Sequence, residues 1–278
     1  MNTQAAGIVV NRNKEGALAL LSDLQKWFAS RGIDCFDTLQ APLESFLSDI
    51  GLVVCLGGDG TLLAAAAKIR TRPIPIVGVN LGKLGFLTEV KQEEVYDELE
   101  NFYAGRAAIE ERLTLDCRAL HTDPYKCRTF SALNDVVVSR EGLTRMLHLS
   151  VRVGNEKLTR FSGDGVIVAT PTGSTAYSLS AGGAIVHPAL SAMVITPICP
   201  HASSLRPMVV SAEETISVLM EDGKPDARAL LTLDGQGALE IDSGYTIQVT
   251  RSEVPVRLVT SSRRSYFANL RENFKFPG

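Results

Sequence analysis

Cysteine is scarce in this chain: five in 278 residues, at positions 35, 55, 117, 127 and 199, with no C-x-x-C pair. An odd number of widely spaced thiols argues against a disulfide frame or a structural zinc site, and fits reduced thiols in a cytosolic protein. Long apolar runs are missing as well. None reaches the ~18 residues that a membrane helix requires. Neither sign of charge dominates, with 28 Lys and Arg against 31 Asp and Glu and a net charge of −3. That balance gives no footing to nucleic acid or a membrane as a partner. Two common phosphate-binding signatures are absent: no Gly-Lys-Ser/Thr closes a Walker A loop, and no Gly-x-Gly-x-x-Gly occurs. Histidines number four, and none pairs with a Ser or Cys in a hydrolase order. His187, beside Pro188, reads as structural. There are no repeats and no low-complexity segment. Residues 1–6 run straight into a strand-like stretch, so no signal peptide and a cytoplasmic location are expected.

What is present is an ordinary globular balance, 45% hydrophobic and 21% charged, in a length that suits about two domains. The chain is organised around Leu56-Gly57-Gly58-Asp59-Gly60-Thr61-Leu62-Leu63. The apolar run before it, 51–55, reads as a buried strand, and the Ala-rich run after it as a helix. Glycines in such a turn let another molecule approach the backbone, and a helix N-terminus favours phosphate. Asp59 has two readings. It caps the helix, as Asp often does, or it takes a proton from a hydroxyl or holds a metal ion. Its place at a strand's carboxyl end, where open α/β sheets bind ligands, brings the functional role level with the capping one.

Strand and helix alternate through residue 106, which predicts an α/β domain with a parallel sheet. Strands are expected at 7–10, 33–36, 51–55 and 73–79, and helices at 14–30, 43–48, 62–68 and 92–103. Residues 80–87 form a second glycine-rich loop. Its Lys83 is a candidate phosphate contact, with an exposed lysine as the plainer reading. From 107 to 261 the texture is β-rich, with short runs at 112–120, 130–139, 147–153, 166–170, 193–199, 215–220, 230–234, 237–241 and 245–249. A sandwich-like second domain follows from that spacing. Residues 222–226 read as a hairpin loop and Arg263-Arg264 as a solvated pair. The tail, 262–278, is expected to form a helix at 265–273 and to pack back on the first domain.

Two polar elements interrupt the β-rich part. Asn134-Asp135 opens a strand with residues poorly suited to one. It is either a plain turn or a ligand contact at a strand end. Gly163-Asp164-Gly165 precedes Thr170-Pro171-Thr172-Gly173-Ser174-Thr175-Ala176-Tyr177-Ser178-Leu179-Ser180-Ala181-Gly182-Gly183. That run is crowded with hydroxyls and small residues that expose backbone groups. Tyr177 offers a flat face on which a base can stack.

Taken in order, Gly57-Gly58-Asp59-Gly60-Thr61, Asn134-Asp135, the run 170–188 and Leu233-Asp234-Gly235-Gln236 resemble the bacterial NAD kinases, over nearly the whole chain. The first motif is shared with diacylglycerol, sphingosine and 6-phosphofructokinase relatives. The Thr-Gly-Ser-Thr-Ala-Tyr-Ser stretch is far more specific. The resemblance implies phosphoryl transfer from ATP to the 2′-hydroxyl of the adenosine ribose of NAD, giving NADP. Asp59 would activate that hydroxyl, and Gly57, Gly58, Gly60 and Thr61 would form the phosphate loop. Asn134 and Asp135 would contact the dinucleotide, although many relatives carry Glu at the second position. Asp164 and the run Thr175, Ala176, Tyr177, Ser178, Leu179 and Ser180 would hold its rings and carboxamide. Arg145 and Gln236 match more peripheral contacts, and Ser162 stands where some relatives have a basic residue. The resemblance further implies a divalent cation, with Mg²⁺ as the expected ion, and a homodimer or homotetramer. A lipid kinase sharing the Gly-Gly-Asp-Gly-Thr turn and a non-catalytic dinucleotide sensor are the rival readings.

Overall fold

A computed structural model gives the fold, and it describes residues 5–83, 85–142, 146–202, 204–221 and 228–275. Arg145 and the expected hairpin loop at 222–226 lie outside the described residues. The chain divides into two compact units, Met1–Glu111 with Val256–Gly278, and Arg112–Pro255. In chain order the first unit opens with β1 (Ala5–Val10), α1 (Ala17–Ala29), β2 (Cys35–Asp37), β3 (Ile50–Gly57), α2 (Asp59–Lys68) and β4 (Ile76–Asn80). It continues with β5 (Val90–Lys91), α3 (Val95–Tyr103) and β6 (Ile109–Arg112). The second unit holds β7 (Leu115–His121), β8 (Arg128–Ala132), β9 (Asp135–Arg140), β10 (Leu147–Val153), β11 (Glu156–Gly163) and β12 (Gly165–Ala169). After the short α4 (Tyr177–Ser180) come β13 (Ala192–Ile198), β14 (Met208–Ser211), β15 (Ile216–Met220), β16 (Ala229–Leu233), β17 (Gln236–Ile241) and β18 (Tyr245–Arg251). The chain then returns to the first unit with β19 (Val256–Val259) and α5 (Tyr266–Phe274).

The first unit is built on a sheet of order β2-β1-β3-β4-β19-β6, with β5 beside β4. Strands β2, β1, β3, β4 and β19 pair in parallel. Parallel strands buried on both faces read as continuous apolar runs, and β3 does so from Leu52 to Leu56, all fully buried. Leu52, Val54 and Leu56 meet Leu20, Leu24 and Phe28 of α1 and Val95 and Leu99 of α3 in one core. Val53 and Cys55 point to the opposite face. The helix expected at 43–48 is a single 3₁₀ turn, Leu43–Ser45, behind Pro42. In the tail, Ser265 caps α5 through a 3.3 Å bond from Ala268 N–H. Arg264 is not solvated: its guanidinium grips both oxygens of buried Glu94, each at 2.6 Å. Arg263 is the exposed member, paired with Asp97.

The second unit consists of two antiparallel six-stranded sheets, β11-β10-β15-β18-β7-β8 and β14-β13-β12-β9-β16-β17. Side chains of both sheets, among them Cys117, Leu149, Val218, Val136, Val168 and Leu231, form one core. The second sheet is buried on its other face too, where Val137, Ile167, Ala169 and Val194 lie under Val186. The run expected as one strand at 130–139 is two strands in different sheets, β8 and β9, and Asn134 marks the break. Strand β11 is too polar to stand out by pattern, because it is an edge strand. Among the described residues no helix is long and apolar enough to cross a membrane.

Candidate active site

The glycine-rich turn follows β3 as expected, but Asp59 does not cap α2. Gly58 is the N-cap, in an extended conformation, and no side chain caps the helix. Asp59 is the first helical residue, and its carboxylate reaches across to the loop after β4. Oδ2 accepts the N–H of Phe86 at 2.9 Å. Oδ1 accepts from Leu87 N at 3.2 Å, Thr88 N at 2.9 Å and the Thr88 hydroxyl at 2.8 Å.

The surrounding glycines divide by cause. A Cβ on Gly85 would stand 2.0 Å from Asp59 Oδ1, and one on Gly57 would stand 2.2 Å from Thr61 Oγ1. A Cβ on Gly78 would press on Leu62, on the Leu87 carbonyl and on Thr88 Cα. Packing requires these three. At Gly58 and Gly60 a Cβ would meet nothing within 4 Å. No packing reason calls for glycine there, so bare backbone beside the N-terminus of α2 is what the sequence provides, the arrangement that suits a phosphate.

Asn80, at the end of β4, is buried. Its Nδ2 donates to the Lys83 carbonyl (2.8 Å) and the Thr88 hydroxyl (2.9 Å), and its Oδ1 accepts the Gly82 N–H (2.7 Å). Sequence reasoning passed over Asn80, Gly85 and Thr88. The signal was a polar residue closing an apolar strand just before a Gly-x-x-Gly loop. Lys83 is exposed and, with Asn80, Lys91 and Glu93, lines a cavity of ≈ 650 Å³.

In the second unit three separate stretches converge. Asp234 (φ 52) and Gly235 (φ 65) form the two-residue turn between β16 and β17, both in the left-handed region such hairpins require. The Asp234 carboxylate accepts the N–H groups of Leu133 (2.8 Å), Asn134 (2.6 Å) and Asp135 (3.0 Å). The Thr170 hydroxyl donates to the Leu133 carbonyl at 2.6 Å and accepts from Gly173 N at 2.9 Å. Gly173 lies so close that a Cβ there would stand 2.0 Å from the Asn134 carbonyl oxygen. Stretches 133–135, 170–183 and 233–236 thus share one spot. Asp234 was quoted as part of a motif, but its clamp on 133–135 is a long-range contact that no local pattern displays.

The side chains there differ in what they present. Tyr177, at the start of α4, is 46% exposed, and Ser180 is exposed one turn on. Thr175 and Leu179 are half-buried, and the Thr175 hydroxyl donates to the Thr172 carbonyl at 3.2 Å. Ser178 is fully buried, and its hydroxyl pairs with that of Thr196 at 2.8 Å. It therefore fastens α4 to the sheet rather than offering its hydroxyl to a ligand. Gln236 is exposed on β17. His187 accepts the Ala189 N–H at Nδ1, a local turn contact in keeping with a structural role.

Asp135 is buried, and burial, with the nearby Asp234 charge, pushes its carboxyl up to about 7. Burial raises Asp234 too, against the pull of the three backbone N–H groups. A carboxyl raised in the folded state adds stability fully present below its unfolded value and lost as pH climbs through the folded one. Asp135→Asn is expected to gain on the parent by on the order of 2–4 kcal/mol between about pH 4 and pH 7, at ~1.4 kcal/mol per unit. Paired denaturation curves across that range measure it. A constant difference would show that Asp135 is ionised throughout.

Asp164 and Ser162 lie elsewhere. Asp164 joins β11 to β12 and pairs with Arg140 Nε at 2.9 Å, and Ser162 Oγ lies 2.7 Å from His148 Nδ1. Ala169 faces Asp135 and Gly165 faces Ser139 in the register. Asp164 is therefore opposite Arg140, at the other end of β9 from Asn134, roughly 20 Å away along the strand. No group of three or more His, Cys, Asp or Glu suited to a metal ion occurs among the described residues.

Against known proteins, a family model described as ATP-NAD kinase N-terminal domain matches residues 35–107, and one described as ATP-NAD kinase C-terminal domain matches 133–261. The chain is 41% identical over 273 residues to the NAD kinase of Geobacter sp. (strain M21), covering 94% of each. It is 40% identical over 286 residues to the NAD kinase of Moorella thermoacetica, covering 99% of this chain and 90% of the relative. An NAD kinase from Archaeoglobus fulgidus, solved in complex with ATP, superposes with a TM-score of 0.80 at 28% identity, covering 96% of this chain and 99% of that one. Yeast NADH kinase complexed with NADH superposes with a TM-score of 0.91 at 24% identity, a likeness of fold, covering 100% of this chain and 89% of that one.

Proposed function

Because this chain belongs to the NAD kinase family and is an NAD kinase enzyme, we propose that it phosphorylates the 2′-hydroxyl of the adenosine ribose of NAD with Asp59 as general base. ATP is the phosphate donor. The observation that carries this reading is the Asp59 carboxylate, held by four hydrogen bonds beside the open backbone of Gly58 and Gly60. As the ribose oxygen bonds to the γ-phosphorus, the bond from that phosphorus to the β,γ-bridging oxygen breaks and ADP leaves. The hydroxyl proton passes to Asp59 Oδ2, the carboxylate oxygen with one hydrogen bond instead of three. Such a base typically contributes ~10²–10⁴-fold, and alignment of the triphosphate supplies much of the rest.

Gly57, Gly58, Gly60 and Thr61 form the phosphate loop in this reading. Asn134, Asp135, Thr175, Ala176, Tyr177, Leu179 and Ser180 hold the dinucleotide, with Ser178 supporting them from beneath. Asp164, Ser162, Arg145 and Gln236 are assigned to its remaining parts. The residues described do not fit a resident metal, because no group of three or more His, Cys, Asp or Glu suited to one occurs among them. A divalent cation, Mg²⁺ in this reading, belongs to the incoming triphosphate as part of the substrate. A homodimer or homotetramer in the cytoplasm completes the proposal.

The lipid-kinase and sensor readings find no support among the relatives. ATP consumption measured with NAD, with diacylglycerol and with neither tests the proposal, which fails if NAD does not stimulate turnover. Tyr177→Ala is expected to weaken NAD binding by about 1–3 kcal/mol, the scale of base stacking on an aromatic ring. An unchanged dissociation constant would remove Tyr177 from the site.

A further inference from the structure

We infer that Asn80 and Thr88 are positioning residues that direct the proton of the reaction to one oxygen of Asp59. The inference rests on the reading of Asp59 as base. Asn80 can sit in only one orientation. Its Oδ1 faces the Gly82 N–H at 2.7 Å and its Nδ2 faces the Lys83 carbonyl at 2.8 Å. A flipped amide would set donor against donor and acceptor against acceptor. Nδ2 therefore also donates to Thr88 Oγ1, 2.9 Å away. With an N–H directed at its oxygen, the Thr88 hydroxyl has its single proton left to give, and Asp59 Oδ1 lies 2.8 Å off. Thr88 is 0% exposed and Asn80 7%, so bulk water does not compete for these bonds.

The result is an asymmetric carboxylate. Oδ1 takes three donors, from Leu87 N, Thr88 N and the Thr88 hydroxyl, which saturates its lone pairs. Oδ2 takes one, from Phe86 N, and keeps a lone pair open. Thr88 thus acts through Asp59 without touching the substrate. It stops the carboxylate from turning its free lone pair into the protein.

The test is a mutant cycle on the full-length enzyme, read as kcat and KM with melting curves alongside. Thr88→Val keeps the shape and removes the hydroxyl; kcat is expected to fall roughly 10- to 100-fold, the scale of a small misplacement at a reacting centre. KM for NAD should stay within about twofold, since ground-state binding is untouched. Thr88→Ser should restore kcat. Asn80→Asp replaces the donor by an acceptor, draws the hydroxyl proton away from Asp59, and should lower kcat similarly even if Thr88→Val does not fold. In an Asp59→Asn background, Thr88→Val should have no further effect on kcat. Equal losses in both backgrounds, or full activity in Thr88→Val and Asn80→Asp, would overturn the inference. If Asp59→Asn itself keeps parental turnover, the failure lies with the general-base reading instead.

Discussion

Asp59→Asn is expected to lower turnover at least ~10²-fold, the loss typical of a removed general base, while NAD affinity changes far less. The amide cannot take a proton, yet it matches the carboxylate in size. Its oxygen can replace Oδ1 and keep the three donors from Leu87 and Thr88. Its nitrogen then replaces Oδ2 and faces the Phe86 N–H, donor against donor. The flipped rotamer would be worse, with three donors set against the amide nitrogen. A buried donor left without an acceptor costs about 1–3 kcal/mol, so the variant should fold and melt a few degrees lower. Steady-state rates and one melting curve decide the matter. Turnover close to the parent's would leave Asp59 a pin for the 85–88 loop and nothing more.

Gly173→Ala is expected to raise the KM for NAD at least ~10-fold and to destabilise the second unit by about 1–3 kcal/mol, the usual range for overpacking. The added methyl would lie 2.0 Å from the Asn134 carbonyl oxygen, 2.4 Å from its carbon and 2.6 Å from the Asn134 Cα. All three are backbone atoms, which no rotamer change can move. The loop must lift, and the bonds from Thr170 to the Asn134 and Leu133 carbonyls stretch with it. Tyr177, Ser180 and Asn134 then no longer keep their mutual places. Binding and melting measured together test this. Normal KM with lowered stability would detach the junction from substrate binding.

Local pattern carried far in the first unit. The apolar runs of β1, β3 and β4 and the spacing of Leu21, Leu24 and Phe28 in α1 are set by neighbours along the chain. The glycine-rich turn was legible for the same reason. The partners of Asp59 were not, because Thr88 stands 29 residues away and packs there only after β4 has formed beside β3. The clamp of Asp234 on Asn134 spans 100 residues and was hidden likewise. The run 130–139 reads as one β-rich stretch; Asn134-Asp135 is locally a turn signal, but nothing local says that the strands on its two sides, β8 and β9, belong to different sheets. Composition made Arg264 look solvated, and its partner Glu94 lies 170 residues earlier.

The position of β19 bears on how the chain can be made. It lies between β4 and β6, yet it follows the whole second unit, Arg112–Pro255, in sequence. On the ribosome the second unit emerges unbroken, while the first waits for its missing strand. At ~5–20 residues per second, those intervening residues take roughly 7–30 s to synthesise. Throughout that interval Ile76 and Val77 of β4 lack the partners they will find in Leu258 and Val259. The nascent protein therefore carries an open, apolar sheet edge, the kind of template that recruits other chains, until residue 259 clears the exit tunnel. A message truncated before codon 256 never closes it.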